Sequence, residues 1–210
     1  MLYAPIEDWS NDDVWIFLNQ NKNPWGSKNQ ELQSLYASAT EDNECPVVVD
    51  TSTPSCGNSR FGCWVCTLVS EDKSMTAMVQ NDSDKGWMAP MLELRNELDY
   101  RSEEKRKLER ERRDFRRMSG ALSYYKDKEG TLSYIPGPYN QKTRLYWLKR
   151  ILEVQEQVKN HSSTPKEAKN IELVSKNELE EIRRIWLEDK RETEDWLPEI
   201  YKEITGRDYE

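Results

Sequence analysis

The sequence predicts a mainly α-helical protein in which a cysteine-rich loop region, with little strand, is followed by a long helix and a helical carboxy-terminal region. Charged residues make up 33% of the chain and apolar residues only 36%, a balance that favours solvated helices over the interior of a sheet. Apolar residues recur at helical spacing in most segments outside that loop. All four cysteines fall between positions 45 and 66 of the 210 residues, which indicates one shared site.

Composition also limits the classes of function. The net charge is −8, which argues against a protein that coats nucleic acid uniformly but allows a local basic patch. No apolar run approaches the length that spans a membrane, so we expect no membrane partner. Reduced cysteines would place the protein in the cytoplasm. The single histidine, His161, argues against a Ser–His or Cys–His catalytic pair, and the sequence contains no Gly-rich phosphate loop.

Three helices are predicted before position 90. Ser10 is a good N-cap, and Asp13 three residues later completes a capping-box pattern. The second helix is predicted over residues 30–39 and the third over 74–80, with residues 82–86 ending it. The apolar face of the first helix consists of Val14, Trp15, Phe17 and Leu18.

One uninterrupted helix is predicted from Met88 to Met118, because no proline or glycine follows Pro90 in this stretch. A salt-bridged, solvated face is the ordinary interpretation of its charge run. Contact with DNA phosphates is the sharper hypothesis, because arginine binds phosphate through two parallel hydrogen bonds. Four arginines at spacings of four, three and four would share one face of this helix: Arg106, Arg110, Arg113 and Arg117.

The carboxy-terminal region is predicted to hold three further helices. An irregular loop is expected over residues 119–140, where tyrosines could stack on bases or pack against the long helix. Helices are then predicted over residues 141–159, from the N-cap Ser175 onward, and over residues 192–204 with a proline interruption. Residues 161–169 are interpreted as a linker.

The cysteines follow the pattern C-x10-C-x6-C-x2-C, at Cys45, Cys56, Cys63 and Cys66. Two disulfides are disfavoured, because they are typical of small secreted domains in an oxidising compartment. Structural zinc binds four cysteines, but commonly through two C-x2-C pairs, and only Cys63 and Cys66 form such a pair. A [4Fe–4S] cluster also binds four thiolates and tolerates uneven spacing. The spacing alone leaves zinc and iron–sulfur equally open.

Several segments resemble a known family. Residues 5–15, PIEDWSNDDVW, resemble the P-x-x-x-W-[ST]-x-x-D-V-W segment of phosphoadenosine-phosphosulfate (PAPS) reductase-like adenine-nucleotide α-hydrolases. Cys45-Pro46, with the run DTSTPSCGNSRFGCWVC over residues 50–66, is similar to the DndC-type sulfurtransferases of bacterial DNA phosphorothioation. The stretches IPGPY (135–139) and EIRRIWL (181–187) look like the carboxy-terminal part of the same family.

The resemblance implies part of an enzyme that replaces a non-bridging phosphate oxygen of DNA with sulfur, using ATP and a [4Fe–4S] cluster held by Cys45, Cys56, Cys63 and Cys66. It implies that residues 1–90 end a PAPS reductase-like domain with the cluster loop at 45–66, and that residues 91–210 form a helical carboxy-terminal region. The family's Ser-Gly-Gly-x-Asp-Ser pyrophosphatase loop has no counterpart here. We therefore expect the α/β nucleotide-binding core to be missing upstream, and ATP to be used only with it.

The partners implied by the resemblance are DNA, other subunits of a phosphorothioation complex, and a cysteine desulfurase as the source of sulfur and cluster. The alternative is a non-catalytic iron–sulfur or zinc module that docks partner proteins or DNA. In the enzymatic hypothesis the cluster either passes sulfur or holds the site together, and both roles use the same four thiolates.

Overall fold

The computed structural model describes residues 4–26, 28–39, 63–126 and 130–209. These residues are mainly helical, which confirms the mainly α part of the predicted fold class. None of their helices is long and apolar enough to cross a bilayer. The helices are α1 (Asn11–Gln20), α2 (Asn29–Ser38), α3 (Lys73–Asn81), α4 (Ala89–Leu98), α5 (Glu103–Glu111), α6 (Gln141–Asn160), α7 (Lys166–Lys169), α8 (Lys176–Arg184) and α9 (Trp196–Thr205), and the strands are β1 (Tyr124–Lys126) and β2 (Leu132–Tyr134).

The chain divides into two compact units, residues 1–92 and 93–210. In the first unit, α1 begins at the predicted capping box, where the Ser10 hydroxyl accepts from the Asp13 amide and the Asp13 carboxylate accepts from the Ser10 amide. Trp15 is buried and meets the ring of Tyr36 on α2 edge to face, with ring centres 5.2 Å apart. The predicted third helix is present as α3, and a 3-10 helix (Ser83–Met88) follows it.

The core of the second unit is the contact of α6 with α9 and α8. Capping by Ser175 and Glu178 starts α8 as predicted. A π-helical turn (Ile185–Asp189) then continues α8, closed by the Lys190 amide donating to the Ile185 carbonyl at 2.9 Å. The buried apolar residues of this core are Leu148, Leu152, Val174, Leu179, Trp186, Leu197 and Ile200.

Gln155 is a buried amide on α6 that orders the connection into α8. Its side-chain oxygen accepts from the backbone amides of Leu173, at 2.7 Å, and Val174, at 3.2 Å. Because a buried amide without a partner is costly, these two bonds fix the path of the chain between α7 and α8.

The prediction of one helix from Met88 to Met118 is wrong. The chain leaves the helical conformation after α4, and α5 starts afresh at the N-cap Ser102, whose hydroxyl accepts from the Lys105 amide at 3.3 Å. The Arg101 amide instead donates to the Asp99 carboxylate at 3.3 Å. Serine and aspartate compete for backbone amides in this way, so they can end or restart a helix without proline or glycine.

The loop predicted over residues 119–140 contains an antiparallel hairpin, in which Tyr124 pairs with Tyr134 and Lys126 with Leu132. The stretch interpreted as a linker includes the single helical turn α7. The last helix begins at Trp196, not at residue 192, and Pro198 does not interrupt it. A proline in the first turn is tolerated there, because that amide has no partner within the helix.

We expect Leu152→Ala to lower the free energy of unfolding of the carboxy-terminal unit by about 2–5 kcal/mol. Leu152 has no exposed surface in the α6–α9 core, so the truncation leaves a cavity. Urea denaturation followed by circular dichroism measures the effect. Gln157→Ala, on the exposed side of the same helix, should change the value by less than about 0.5 kcal/mol, and equal effects would contradict this assignment of the core.

Candidate metal centre and candidate nucleic-acid interface

Cys63 and Cys66, two of the four predicted thiolate ligands, lie in one tight turn. The Cys66 amide donates to the Cys63 carbonyl at 2.9 Å. Cys63 is exposed and Cys66 half-buried. The other two predicted ligands, Cys45 and Cys56, lie outside the described residues. A C-x2-C turn is the arrangement that supplies two ligands of a tetrathiolate zinc or iron–sulfur site.

The donor set of this turn fits half of such a site. The part of the chain that the structure describes contains no group of three or more His, Cys, Asp or Glu side chains placed to bind a metal. The described residues therefore contribute two cysteine thiols to the predicted site. Both are soft ligands, which suit iron–sulfur clusters and zinc better than hard cations such as magnesium.

The four arginines predicted to contact DNA do not share one helix face, so that part of the prediction is wrong. Arg106 and Arg110 lie one turn apart on α5, whereas Arg113 and Arg117 follow the end of that helix. The chain turns away because Arg113 forms a β-bridge with Tyr139. A helix cannot continue through residues whose backbone groups pair with another segment.

Several contacts fix the side chain of Arg113. Its Nε and Nη2 donate to one oxygen of Glu109, at 2.9 and 2.8 Å, and its Nη1 donates to the Gly137 carbonyl at 3.3 Å. Its guanidinium also lies 4.3 Å from the centre of the Tyr139 ring, within the range of a cation–π contact. These contacts make Arg113 a structural residue with a compensated charge.

The electrostatics of this group agree with its geometry. Burial lowers the pKa of Arg113, but hydrogen bonding to Glu109 and the charges of Tyr139 and Glu109 outweigh it, so the pKa lies above its ordinary value. Burial raises the pKa of Tyr139, and hydrogen bonding to Glu109 raises it further. Arg113 therefore stays charged and Tyr139 neutral at physiological pH.

The segment after α5 packs directly on the turn Pro136-Gly137-Pro138. The Asp114 amide donates to the Pro138 carbonyl at 2.9 Å, and the Gly137 amide donates to the Asp114 carbonyl at 2.7 Å. A Cβ atom on Gly137 would lie 1.7 Å from the Arg116 carbonyl oxygen, far inside contact distance. Only glycine therefore permits this approach of the two backbones.

The side chains of Arg110 and Arg117 form fewer contacts than that of Arg113. Arg110 Nη2 donates to the Tyr125 hydroxyl on β1, and Arg117 Nη1 donates to the Pro136 carbonyl at 3.0 Å. The Arg117 amide also donates to the Ala121 carbonyl at 2.9 Å. Both side chains are exposed, so each guanidinium keeps N–H groups accessible to a ligand.

The sequence did not predict a second arginine network in the same unit. The Arg112 guanidinium lies 5.2 and 5.0 Å from the ring centres of Tyr146 and Trp147 on α6. Glu97 accepts hydrogen bonds from the Tyr146 hydroxyl and from Arg150, the latter at 3.1 Å. The network joins the end of α4 to α6, and the adjacent aromatic pair in α6 is the only sequence signal for it.

We expect Gly137→Ala to destabilise the carboxy-terminal unit by about 1–3 kcal/mol, because the added Cβ forces the backbones at Arg116 and Gly137 apart. Urea denaturation gives the free energy, and amide hydrogen exchange at Asp114 reports the broken contact. Pro138→Ala is the matched control: it keeps the carbonyl that accepts from Asp114 and should cost at most about 1 kcal/mol. A Gly137→Ala protein with unchanged exchange at Asp114 would refute the close approach.

The described residues therefore offer two candidate sites: a C-x2-C turn in the first unit and an arginine-bearing segment in the second. In comparisons with protein-family models, curated proteins and solved structures, none matched this chain.

Proposed function

We propose that the chain is the cluster-bearing part of a DndC-type sulfurtransferase, which incorporates sulfur into the DNA backbone. The run of four cysteines within residues 45–66 is the observation that supports this proposal. The turn at Cys63 and Cys66 adds to it, because its two cysteines are separated by two residues, as ligands of one metal site commonly are.

The proposed cofactor is a [4Fe–4S] cluster with Cys45, Cys56, Cys63 and Cys66 as its thiolate ligands. When bound, such a cluster would either carry the transferred sulfur or hold the site in shape. The Cys63–Cys66 turn would bind two of its corners, and the backbone hydrogen bond across the turn would keep the two sulfurs on one side. Zinc on the same four thiolates is the alternative, and metal analysis separates the two.

ATP activation is proposed to belong to a separate nucleotide-binding segment. The 210 residues contain no Ser-Gly-Gly-x-Asp-Ser sequence, and backbone amides that cradle phosphate are central to such nucleotide sites. The chain would then work with other subunits of a phosphorothioation complex in the cytoplasm. A cysteine desulfurase would supply both the sulfur and the cluster.

DNA is proposed to contact α5 through Arg106 and Arg110. Both side chains are exposed, and among the described residues neither forms an ion pair with a carboxylate. Surface ion pairs contribute only about 0–1 kcal/mol each, so the acidic side chains of α5 need not keep these arginines from phosphate. Arg113 would act indirectly, by fixing the segment that carries Arg117.

Protein purified without oxygen should be brown and absorb broadly in the visible range, because thiolate-to-iron charge transfer colours such clusters. Cys63→Ser and Cys66→Ser should each lose iron and loosen the segment, since thiolate binding is coupled to folding. Trp64→Phe keeps both thiols and should retain the metal. Visible spectra with iron, sulfide and zinc analysis measure this; one zinc per colourless chain would overturn the cluster, and a metal-free chain would overturn the site.

The double variant Arg106→Gln/Arg110→Gln should weaken duplex DNA binding across all sequences and flatten its salt dependence by about 0.9 for each lost phosphate contact. Fluorescence anisotropy at several salt concentrations gives both quantities. Lys166→Gln/Lys169→Gln removes the same charge from α7, whose two lysines are also exposed, and should leave the slope unchanged. An equal effect of both double variants would show a nonspecific charge effect and no interface on α5.

A further inference from the structure

An open pocket of about 430 Å³ lies where the chain after α5 meets the Pro136-Gly137-Pro138 turn. It belongs wholly to the second unit. Among the described residues, its walls combine two arginines with a serine and a glycine-containing turn, and contain no carboxylate. The lining residues are Arg113, Arg117, Met118, Ser119, Pro136, Gly137 and Pro138.

The two arginines of the pocket differ in the charge that they offer. Arg113 is paired with Glu109, which is buried behind it, so its charge is compensated and it acts as a rigid wall. Arg117 forms no ion pair within the described residues, and its only side-chain bond there goes from Nη1 to the Pro136 carbonyl. Its Nε and Nη2 groups are therefore open donors. The pocket thus carries one uncompensated positive charge at a fixed position.

Backbone donors add to that charge. The Gly120 amide donates to the Arg117 carbonyl at 2.8 Å, which closes a tight turn with Met118 and Ser119 at its centre. Gly120 has φ +79°, a conformation that favours glycine. The amides of Met118 and Ser119 donate to no other residue in the described part of the chain. Successive free amides in such a turn form a concavity that favours anions.

We propose that this pocket binds the oxyanion of a phosphate group, with Arg117, the Ser119 hydroxyl and the amides of Met118 and Ser119 as donors. Phosphate accepts several charge-assisted hydrogen bonds at once, and a planar guanidinium is well shaped to donate them. The proposal rests on the proposed function only for the source of the phosphate, which that function would make a phosphodiester of the DNA backbone. A free phosphate ion has the same chemistry.

Arg116 provides the matched control for Arg117. It is the adjacent residue and has the same charge, but its Nη1 donates to the Gly120 carbonyl at 3.1 Å, its guanidinium lies 5.3 Å from the Phe115 ring centre, and it does not line the pocket. Arg113 is unsuitable as a test, since its loss would leave the buried Glu109 unpaired.

The experiment titrates the full chain with inorganic phosphate and, separately, with an abasic oligodeoxynucleotide that offers the DNA backbone without bases. Amide resonances of Ser119 and Gly137 report occupation of the pocket. Arg117→Gln should weaken binding about tenfold, the effect expected of one charged hydrogen bond, and Arg116→Gln should weaken it much less. Visible absorption of the same samples monitors the cluster, so a failure of the proposed function is seen separately.

Shifts with the abasic DNA that weaken in Arg117→Gln would support the proposal and identify a backbone phosphodiester. A response to inorganic phosphate alone, again dependent on Arg117, would support the pocket and identify a free phosphate as its ligand. Equal weakening by both arginine variants, or no shift of either resonance with either probe, would overturn the proposal.

Discussion

Gly137 has no side chain, and backbone atoms of Asp114 and Arg116 occupy the space that a Cβ atom would need. This close approach lies just beyond the end of α5, where Arg113 forms its β-bridge with Tyr139. Once the two backbones are joined by hydrogen bonds, the Gly137 carbonyl is in place to accept from Arg113. One small residue thereby lets the segment after α5 pack on this turn and provides a backbone acceptor for Arg113.

The ion pair of Arg113 with Glu109 depends on that constraint. A half-buried guanidinium loses hydration, and this loss is offset only when its N–H groups find partners. Here Glu109, the Gly137 carbonyl and the face of Tyr139 supply them. The pair stabilises the segment but leaves no net charge for a ligand. Among the described residues, the neighbouring Arg117 side chain has one backbone partner and no carboxylate, so its charge stays available.

Most helices were predictable because their start signals are local. Ser10 with Asp13, and Ser175 with Glu178, lie three residues apart, and each pair forms its capping box. The end of α4 was not predictable in the same way, since Asp99 and Ser102 can either lie within a helix or bond nearby backbone amides, and the spacing of apolar residues does not distinguish the two. The hairpin was missed because its strands have three residues each, too few for an alternating pattern to be recognised.

The candidate sites also differ in whether local sequence signals predict them. The cysteine spacing predicted a shared metal site, and the C-x2-C turn at Cys63 and Cys66 is local enough to be read from two residues. The arginine face depended on the long helix and was lost with it. The pocket at Arg117 arises from segments about twenty residues apart, so no spacing in the sequence indicates it. Contacts between residues this far apart in the sequence can be identified only from the folded structure.

The π-helical turn at Ile185–Asp189 is a place where related chains can lose one residue. Five residues in that turn, where an α-helix uses about four, amount to one inserted residue that the core has accommodated. The wide turn holds the extra residue locally, so the side chains on either side of it keep their places in the core. Removing one residue there would convert it into an ordinary α-helical turn without displacing those neighbours. In alignments of related chains, a single-residue gap is therefore most easily accommodated at this turn.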